Sequence, residues 1–315
     1  MQRIQYHRYG GPGEMRLEEV ELPKPGRGEV RVRVIAASAN PADWKVRAGG
    51  LRLVSGSRFP RGLGHDFAGI VDAIGPEVFR LRIGDEVLGI MGIRNAGAFT
   101  DYLLIAEKGA YTKPPSISFE LAASLPMAGV TAWSAVVERA KVCAGQAVFI
   151  TGCLGGVGRA AVQITRMRGA EVVGNCSASG RQEALALGVG EVADYRAFDI
   201  ATYRQRFDLV FDTAGALSLS QCSAMLKHGG VAVHAVPSPN TLIASLFSSR
   251  HAIASGNPNS QRMAGVTEAA EQGKLVPKIG RTVSLSEAVS AITELETTGL
   301  PKGKLVIVPT SLAAP

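Results

Sequence analysis

The chain has 315 residues, 46% of them hydrophobic and 19% charged, which is enough to bury a sizeable core and points to two domains. Its net charge of +7 favours anionic ligands, but the basic residues are dispersed and aromatic residues make up only 6%, so a stacking platform for nucleic acid is disfavoured. No apolar run could span a bilayer, Met1–Tyr6 carries no apolar signal core, and Cys143, Cys153, Cys176 and Cys222 form no C-x-x-C pair; a soluble, cytoplasmic protein with reduced structural thiols is expected.

In chain order, the first part is rich in Gly, Pro and short β-branched runs. Residues 29–36 alternate strictly and predict a half-buried strand. Residues 67–75 predict a second strand ending in a Gly-Pro turn, and residues 84–89 a turn into a third. This part reads as an irregular, strand-rich, barrel-like domain. The texture changes near Lys113-Pro114-Pro115. Residues 119–140 are helical in pattern, broken around Pro126. Strands at 147–150, 171–174, 207–212 and 231–236 then alternate with helices at about 158–168 and 181–187. That alternation predicts a doubly wound parallel sheet. Helices at 261–272 and 286–296 and a strand at 304–308 close the chain. The expected fold class is therefore α/β, with a β-rich domain at 1–117, a doubly wound parallel-sheet domain at 118–256, and a return to the first domain at 257–315.

The strongest motif runs from Val148 to Gly158, V-F-I-T-G-C-L-G-G-V-G. It follows a strand and opens a helix, the setting in which glycines admit a pyrophosphate to a helix N-terminus. Cys153 stands at the first glycine position of G-x-G-x-x-G, so the tight-turn glycine reads as missing, while Gly155 and Gly158 remain. A tight strand–helix connection without a ligand is the alternative. The end of the second strand, Gly174 to Arg181, carries no acid to bind ribose hydroxyls. Ser177, Ser179 and Arg181 there suit a 2′-phosphate, so NADPH is the expected cofactor. Otherwise Arg181 is a solvated first-turn residue.

Four further segments carry a family resemblance: Ala39-Asn40-Pro41-Ala42-Asp43-Trp44-Lys45, Gly64-His65-Asp66-Phe67-Ala68-Gly69, Leu125 to Trp133, and Gly303-Lys304-Leu305-Val306. With the glycine loop, and in this order, they resemble the zinc-free quinone reductase and enone reductase branch of the medium-chain dehydrogenase/reductase superfamily. The resemblance implies a GroES-like domain interrupted by a Rossmann domain, with the active site in the cleft between them. It implies that Asn40 lies near the nicotinamide ribose, Thr131 near the nicotinamide, and Tyr195 at the adenosine end. The expected cofactor-binding set is Asn40, Thr131, Gly152, Leu154, Gly155, Gly156, Val157, Gly158, Ser177, Ser179, Arg181, Tyr195, Val236 and Lys304.

Zinc members of the superfamily carry cysteines where this chain has Asn40 and, nearby, Met127, and the stretch matching their structural zinc loop, 87–98, is short and cysteine-free. Catalytic zinc takes three protein ligands. No metal is expected, and His65, which keeps a ligand's position, reads as a hydrogen-bonded structural residue. Without zinc to hold an alkoxide, conjugated acceptors are favoured: a quinone or an α,β-unsaturated carbonyl spreads the charge, and hydrogen-bond donors suffice. Asn40 and Lys45 are the candidate catalytic donors, although Asn40 also fits a turn before Pro41 and Lys45 a solvated helix position. No proton donor stands out. Enoyl-thioester reduction, alcohol oxidation, or RNA binding with retained NADPH affinity are the competing functions. Loops at 51–58 and 241–250 are expected to build an apolar substrate pocket, and residues 251–254 to form an edge strand that pairs two copies into a homodimer.

Overall fold

The computed structural model describes residues 1–299 and 302–309. The chain divides into two compact units: residues 1–127, 258–267 and 277–315, and residues 128–257 and 268–276.

In the first unit the alternation of residues 29–36 becomes the strand Glu29–Ser38, whose even-numbered valines are buried and whose odd positions up to Ile35 are only partly so. It is central to a seven-stranded sheet in the order Ile279–Ser284, Lys304–Val308, Glu29–Ser38, Asp66–Ile74, Glu86–Ile90, Ala110–Thr112, with Tyr102–Ala106 also paired to Glu29–Ser38. A second sheet pairs Arg16–Glu19, Gln2–Tyr6 and Arg61–Gly62. Val30, Val32, Val34, Phe67, Val71, Phe99, Leu305 and Ile307 share one core. Register decides what meets at the end of the long strand. Ser38 pairs with Asp66 on one side and with Val306 on the other. Continued past Ser38, the antiparallel register sets Lys304 opposite Asn40, and the Ala39 N–H donates to Leu305 O at 2.9 Å.

The second unit is a six-stranded parallel sheet in the order Glu191–Asp194, Glu171–Cys176, Ala147–Ile150, Phe207–Asp212, Leu226–His234, His251–Ile253. That is the doubly wound Rossmann order, with its reversal between Ala147–Ile150 and Phe207–Asp212, where the crevice at the strands' carboxyl ends opens. Val148, Phe149 and Ile150 are fully buried, each contributing roughly 1.5–3 kcal/mol over an exposed position. Phe149 packs in an aromatic cluster with Phe198, Tyr203 and Phe207.

Two expectations are corrected. Residues 241–250 are not mainly a loop. The helix Pro239–Phe247 occupies most of the segment, because Ser238 caps it, with its Oγ accepting from the Thr241 N–H at 3.2 Å, and Pro239 starts it. The strand expected at 231–236 runs instead over Leu226–His234, which leaves Val236 beyond its end. No described helix is long and apolar enough to cross a membrane.

Candidate active site

The glycine loop begins where Ala147–Ile150 ends. Thr151 is buried, its Oγ1 donating to Asp212 Oδ1 at 2.8 Å, and the Gly152 N–H donates to Asn175 Oδ1 at 2.7 Å. Gly152 has φ +56°, a left-handed conformation that favours glycine. The tight-turn glycine is therefore present, one residue earlier than the motif spacing indicated. Cys153 is instead a packing residue, fully buried, with its thiol pushed by burial up to about 12. A Cβ on Gly174 would lie 2.8 Å from the Cys153 Cβ, so glycine there makes room for it. Gly155 caps the helix Gly156–Met167 with no side chain over its first turn. The N–H groups of Gly156, Val157 and Gly158 belong to that first turn and have no intrahelical acceptor. A Cβ on Gly158 would stand 2.2 Å from Gly152 O. Such a cradle of close backbone and open N–H donors fits a pyrophosphate. Leu154 is half-buried against Gly180, and Val236 packs against Gly215, where a Cβ would come within 3.4 Å of it.

Beyond Glu171–Cys176, Ser177, Ala178, Arg181, Val192, Ala193 and Asp194 line a cavity of about 110 Å³. The Ser177 and Ser179 hydroxyls are 3.1 Å apart. Arg181 is exposed and donates through Nη1 to Val192 O at 2.7 Å, so part of its guanidinium holds the rim of the site. Asp194 lines the same cavity, its Oδ1 accepting from the Arg196 N–H at 3.0 Å, a feature hidden from sequence reading because it comes from the third strand. Tyr195 is 50% exposed, with the Arg196 guanidinium 5.4 Å from its ring centroid.

The first unit carries a buried polar cluster. Asn40 donates through Nδ2 to Asp66 Oδ2 at 3.0 Å and to Ser38 O at 3.2 Å, and its Oδ1 accepts from Lys304 Nζ at 2.7 Å. Lys304 Nζ lies 3.7 Å from Asp66 Oδ2, and the Met127 N–H donates to Asp66 Oδ1 at 3.1 Å. Asp43 bridges inward, accepting from the Asn40 N–H through Oδ2 at 2.6 Å and from His65 Nδ1 through Oδ1 at 2.5 Å. Burial pushes the Asp66 carboxyl up to about 6, against the downward pull of Lys304 and Asn40. Burial also lowers Lys304, against Asp66 and Asp43. For His65, burial opposes the charged ring, but the hydrogen bond and charge of Asp43, helped by Asp66, outweigh it and leave the pKa raised.

Of the expected residues, Asn40 and Lys304 therefore meet in the first unit, while the loop, Ser177, Ser179, Arg181, Tyr195, Val236 and the buried Thr131 belong to the second. Both amide protons of Asn40 are committed, so its expected role as a donor to substrate is corrected. The capacity left to it is a lone pair on Oδ1, an acceptor for a hydroxyl. Lys45 is exposed on the helix Pro41–Arg47, and no hydrogen bond among the described residues ties its side chain to the cluster. Asp66 and Asp43 were missed. The signal for Asp43 was present, three residues after Asn40 at the start of a helix, as in a capping box. Asp66 stands in the Gly64-to-Gly69 segment, but its partners Asn40 and Lys304 are distant in the chain.

Residues 26–115 match the family model of the alcohol dehydrogenase GroES-like domain, and residues 187–307 that of the zinc-binding dehydrogenases. The chain is 29% identical to the chloroplastic quinone-oxidoreductase QR1 of Triphysaria versicolor over 98% of both proteins. It is 31% identical to the 2-methylene-furan-3-one reductase of Solanum lycopersicum, over 98% of this chain and 79% of that protein. The solved quinone oxidoreductase of Coxiella burnetii superimposes with a TM-score of 0.89 at 31% identity, covering 98% of this chain and 99% of that one. The zinc in the second model's description does not fit the residues present: among the described residues no three His, Cys, Asp or Glu are grouped to hold a metal, and the Asn40 amide is already spent on Asp66, Ser38 and Lys304. A nicotinamide dinucleotide does fit the loop at Gly152–Gly158. By these likenesses the chain is an oxidoreductase that belongs to the quinone-oxidoreductase family of the medium-chain dehydrogenase/reductase superfamily.

Proposed function

We propose that the enzyme uses NADPH to reduce a quinone or an α,β-unsaturated carbonyl, without a metal. The observation that carries this reading is the buried Asn40–Asp66–Lys304 cluster, a closed hydrogen-bonded set in the segment where zinc relatives supply a ligand. The bound nicotinamide supplies the hydride. The chain's own residues bind and orient: the loop backbone receives the pyrophosphate, and Asn40 Oδ1, stiffened by Lys304, accepts from a ribose hydroxyl. Nothing in the cluster replaces zinc as a Lewis acid for a simple alkoxide. A conjugated acceptor, whose charge delocalises, needs no such acid. The quinone and enone reductions named for its relatives favour the same substrate class. The test is NADPH oxidation against a panel of quinones, enones and enoyl thioesters, with NADP⁺ and simple alcohols in parallel. Turnover of the alcohols alone would overturn the reading.

Ser177 and Arg181 on the 110 Å³ cavity, with the Ser179 hydroxyl beside that of Ser177, support the 2′-phosphate. One observation favours NADH instead: Asp194, an acid, also lines this cavity. Removing a charge-assisted hydrogen bond costs roughly 1.5–3 kcal/mol. Arg181→Ala is therefore expected to weaken NADPH roughly 10- to 150-fold and to leave NADH nearly unchanged, while Asp194→Asn tightens NADPH. Fluorescence titration with both cofactors decides. Equal loss for both in Arg181→Ala would assign Arg181 to holding Val192 only.

We also read the chain as a homodimer. The edge strand His251–Ile253 is unpaired on one side, and the neighbouring helix Pro239–Phe247 exposes Leu242, Ile243, Leu246 and Phe247, an apolar patch that soluble monomers rarely leave open. A monomeric mass by light scattering at micromolar concentration would reject it.

A further inference from the structure

His65 is built differently from the other buried histidines. His234 and His251 stack on each other, with Nε2 of the first 3.2 Å from Nδ1 of the second, and burial lowers the pKa of both. His65 has no ring partner and one carboxylate. Gly64, at φ +95°, turns the chain just before it, and a Cβ there would lie 2.5 Å from the Phe99 ring. The His65 backbone is held where its carbonyl accepts from the Met91 N–H at 2.7 Å. Because a carboxylate can only accept, the 2.5 Å contact fixes the proton on Nδ1 and points it at Asp43 Oδ1. Asp43 is itself immobilised: fully buried, in the first turn of its helix, its other oxygen held by the Asn40 N–H. Nε2 makes no hydrogen bond among the described residues and is not fully sealed, although His65 as a whole is only 3% exposed. An imidazole oriented through Nδ1 by a buried carboxylate, with Nε2 left without a hydrogen bond, is the arrangement of a general acid or base.

We propose that His65 is the proton donor of the reaction, oriented by Asp43, which also links it to Asn40. The proposal rests on the enone-reducing function above. An enone that has accepted hydride at its β-carbon is an enolate. The Nε2–H bond breaks, the proton passes to the α-carbon of the enolate, and the electron pair stays on nitrogen as neutral imidazole, which regains a proton from water. Enone, NADPH and one proton become saturated ketone and NADP⁺. The groups facing the ring are Asp43 on its helix, Asp66 on the following strand, Lys304 paired to Asp66, and Arg61 on the short strand before it. The two carboxylates favour the imidazolium and Arg61 opposes it. Burial opposes the charge most strongly, yet the net effect raises the pKa of His65, so activity should fall as the pH rises through that pKa.

The test uses 2-methylcyclohexenone and NADPH in D2O. The wild-type enzyme is expected to place deuterium on one face of the α-carbon and to lose kcat at alkaline pH. His65→Gln should lower kcat at least 100-fold, the lower end of general-acid effects, with NADPH affinity retained, a mixed α-centre and no alkaline limb. If His65→Gln does not fold, Asp43→Asn serves, and its limb should move to lower pH. Wild-type turnover with an unchanged rate, stereochemistry and pH limb in these variants would overturn the proton assignment alone. Absence of wild-type turnover with every enone and quinone would overturn the function and the assignment together.

Discussion

Gly158→Ala is expected to abolish dinucleotide binding. The added Cβ would stand 2.2 Å from Gly152 O and 2.9 Å from the Cys153 Cα, and both neighbours are backbone. No side-chain rotation relieves such a contact, so the helix start must move away from the turn. Gly152 cannot give easily, because its N–H is tied to Asn175 and its left-handed φ is set by the turn. Overpacking of this kind costs about 1–3 kcal/mol or more. It also displaces the first-turn N–H groups that would receive the pyrophosphate, so cofactor affinity should drop by at least about 100-fold, or roughly 2.7 kcal/mol. Fluorescence titration with NADPH reads the loss, and circular dichroism checks that the sheet persists. Wild-type affinity in a folded variant would show that the pyrophosphate lies elsewhere.

Lys304→Met is expected to destabilise the first unit more at alkaline than at acid pH. The substitution keeps the buried stem but leaves Asp66 without its cation. Removing one partner of a buried pair costs roughly 3–5 kcal/mol when the other stays charged. Asp66 has an escape that a lower-pKa carboxylate would lack. Its folded pKa, about 6, already lies above the ordinary value of 3.8. A carboxyl raised on folding favours the folded state at low pH, and that contribution is lost as pH rises from about 4 through its folded pKa. Lys304 pulls this pKa down, so its removal raises it further and widens the window in which Asp66 folds protonated. Urea midpoints should therefore show the full penalty near pH 8 and a smaller one near pH 5. An equal loss at both pH values would mean that the charge on Lys304 does not matter to Asp66.

The sequence by itself determined the elements and the family. The valine alternation of Glu29–Ser38 and the apolar runs at Ala147–Ile150 and Phe207–Asp212 are local patterns, and local patterns are what a sequence displays. Gly158 and the helix it opens were legible for the same reason. Tertiary structure decided the rest, because the deciding partners are far apart in the chain. Asn40 meets Asp66 and Lys304 across 26 and 264 residues, through strand registers that no local rule specifies. The Asn40 amide looks like a free donor until those registers consume both of its protons. Asp194 joins Arg181 only because the second and third strands of the Rossmann sheet lie side by side. Gly152 became the turn glycine, and Cys153 a core residue, because the dihedral angle follows from how strand and helix dock, not from motif spacing. His65 occupies a ligand's position in sequence, but only the buried carboxylate of Asp43, fixed by a helix that starts at Pro41, gives its ring an orientation.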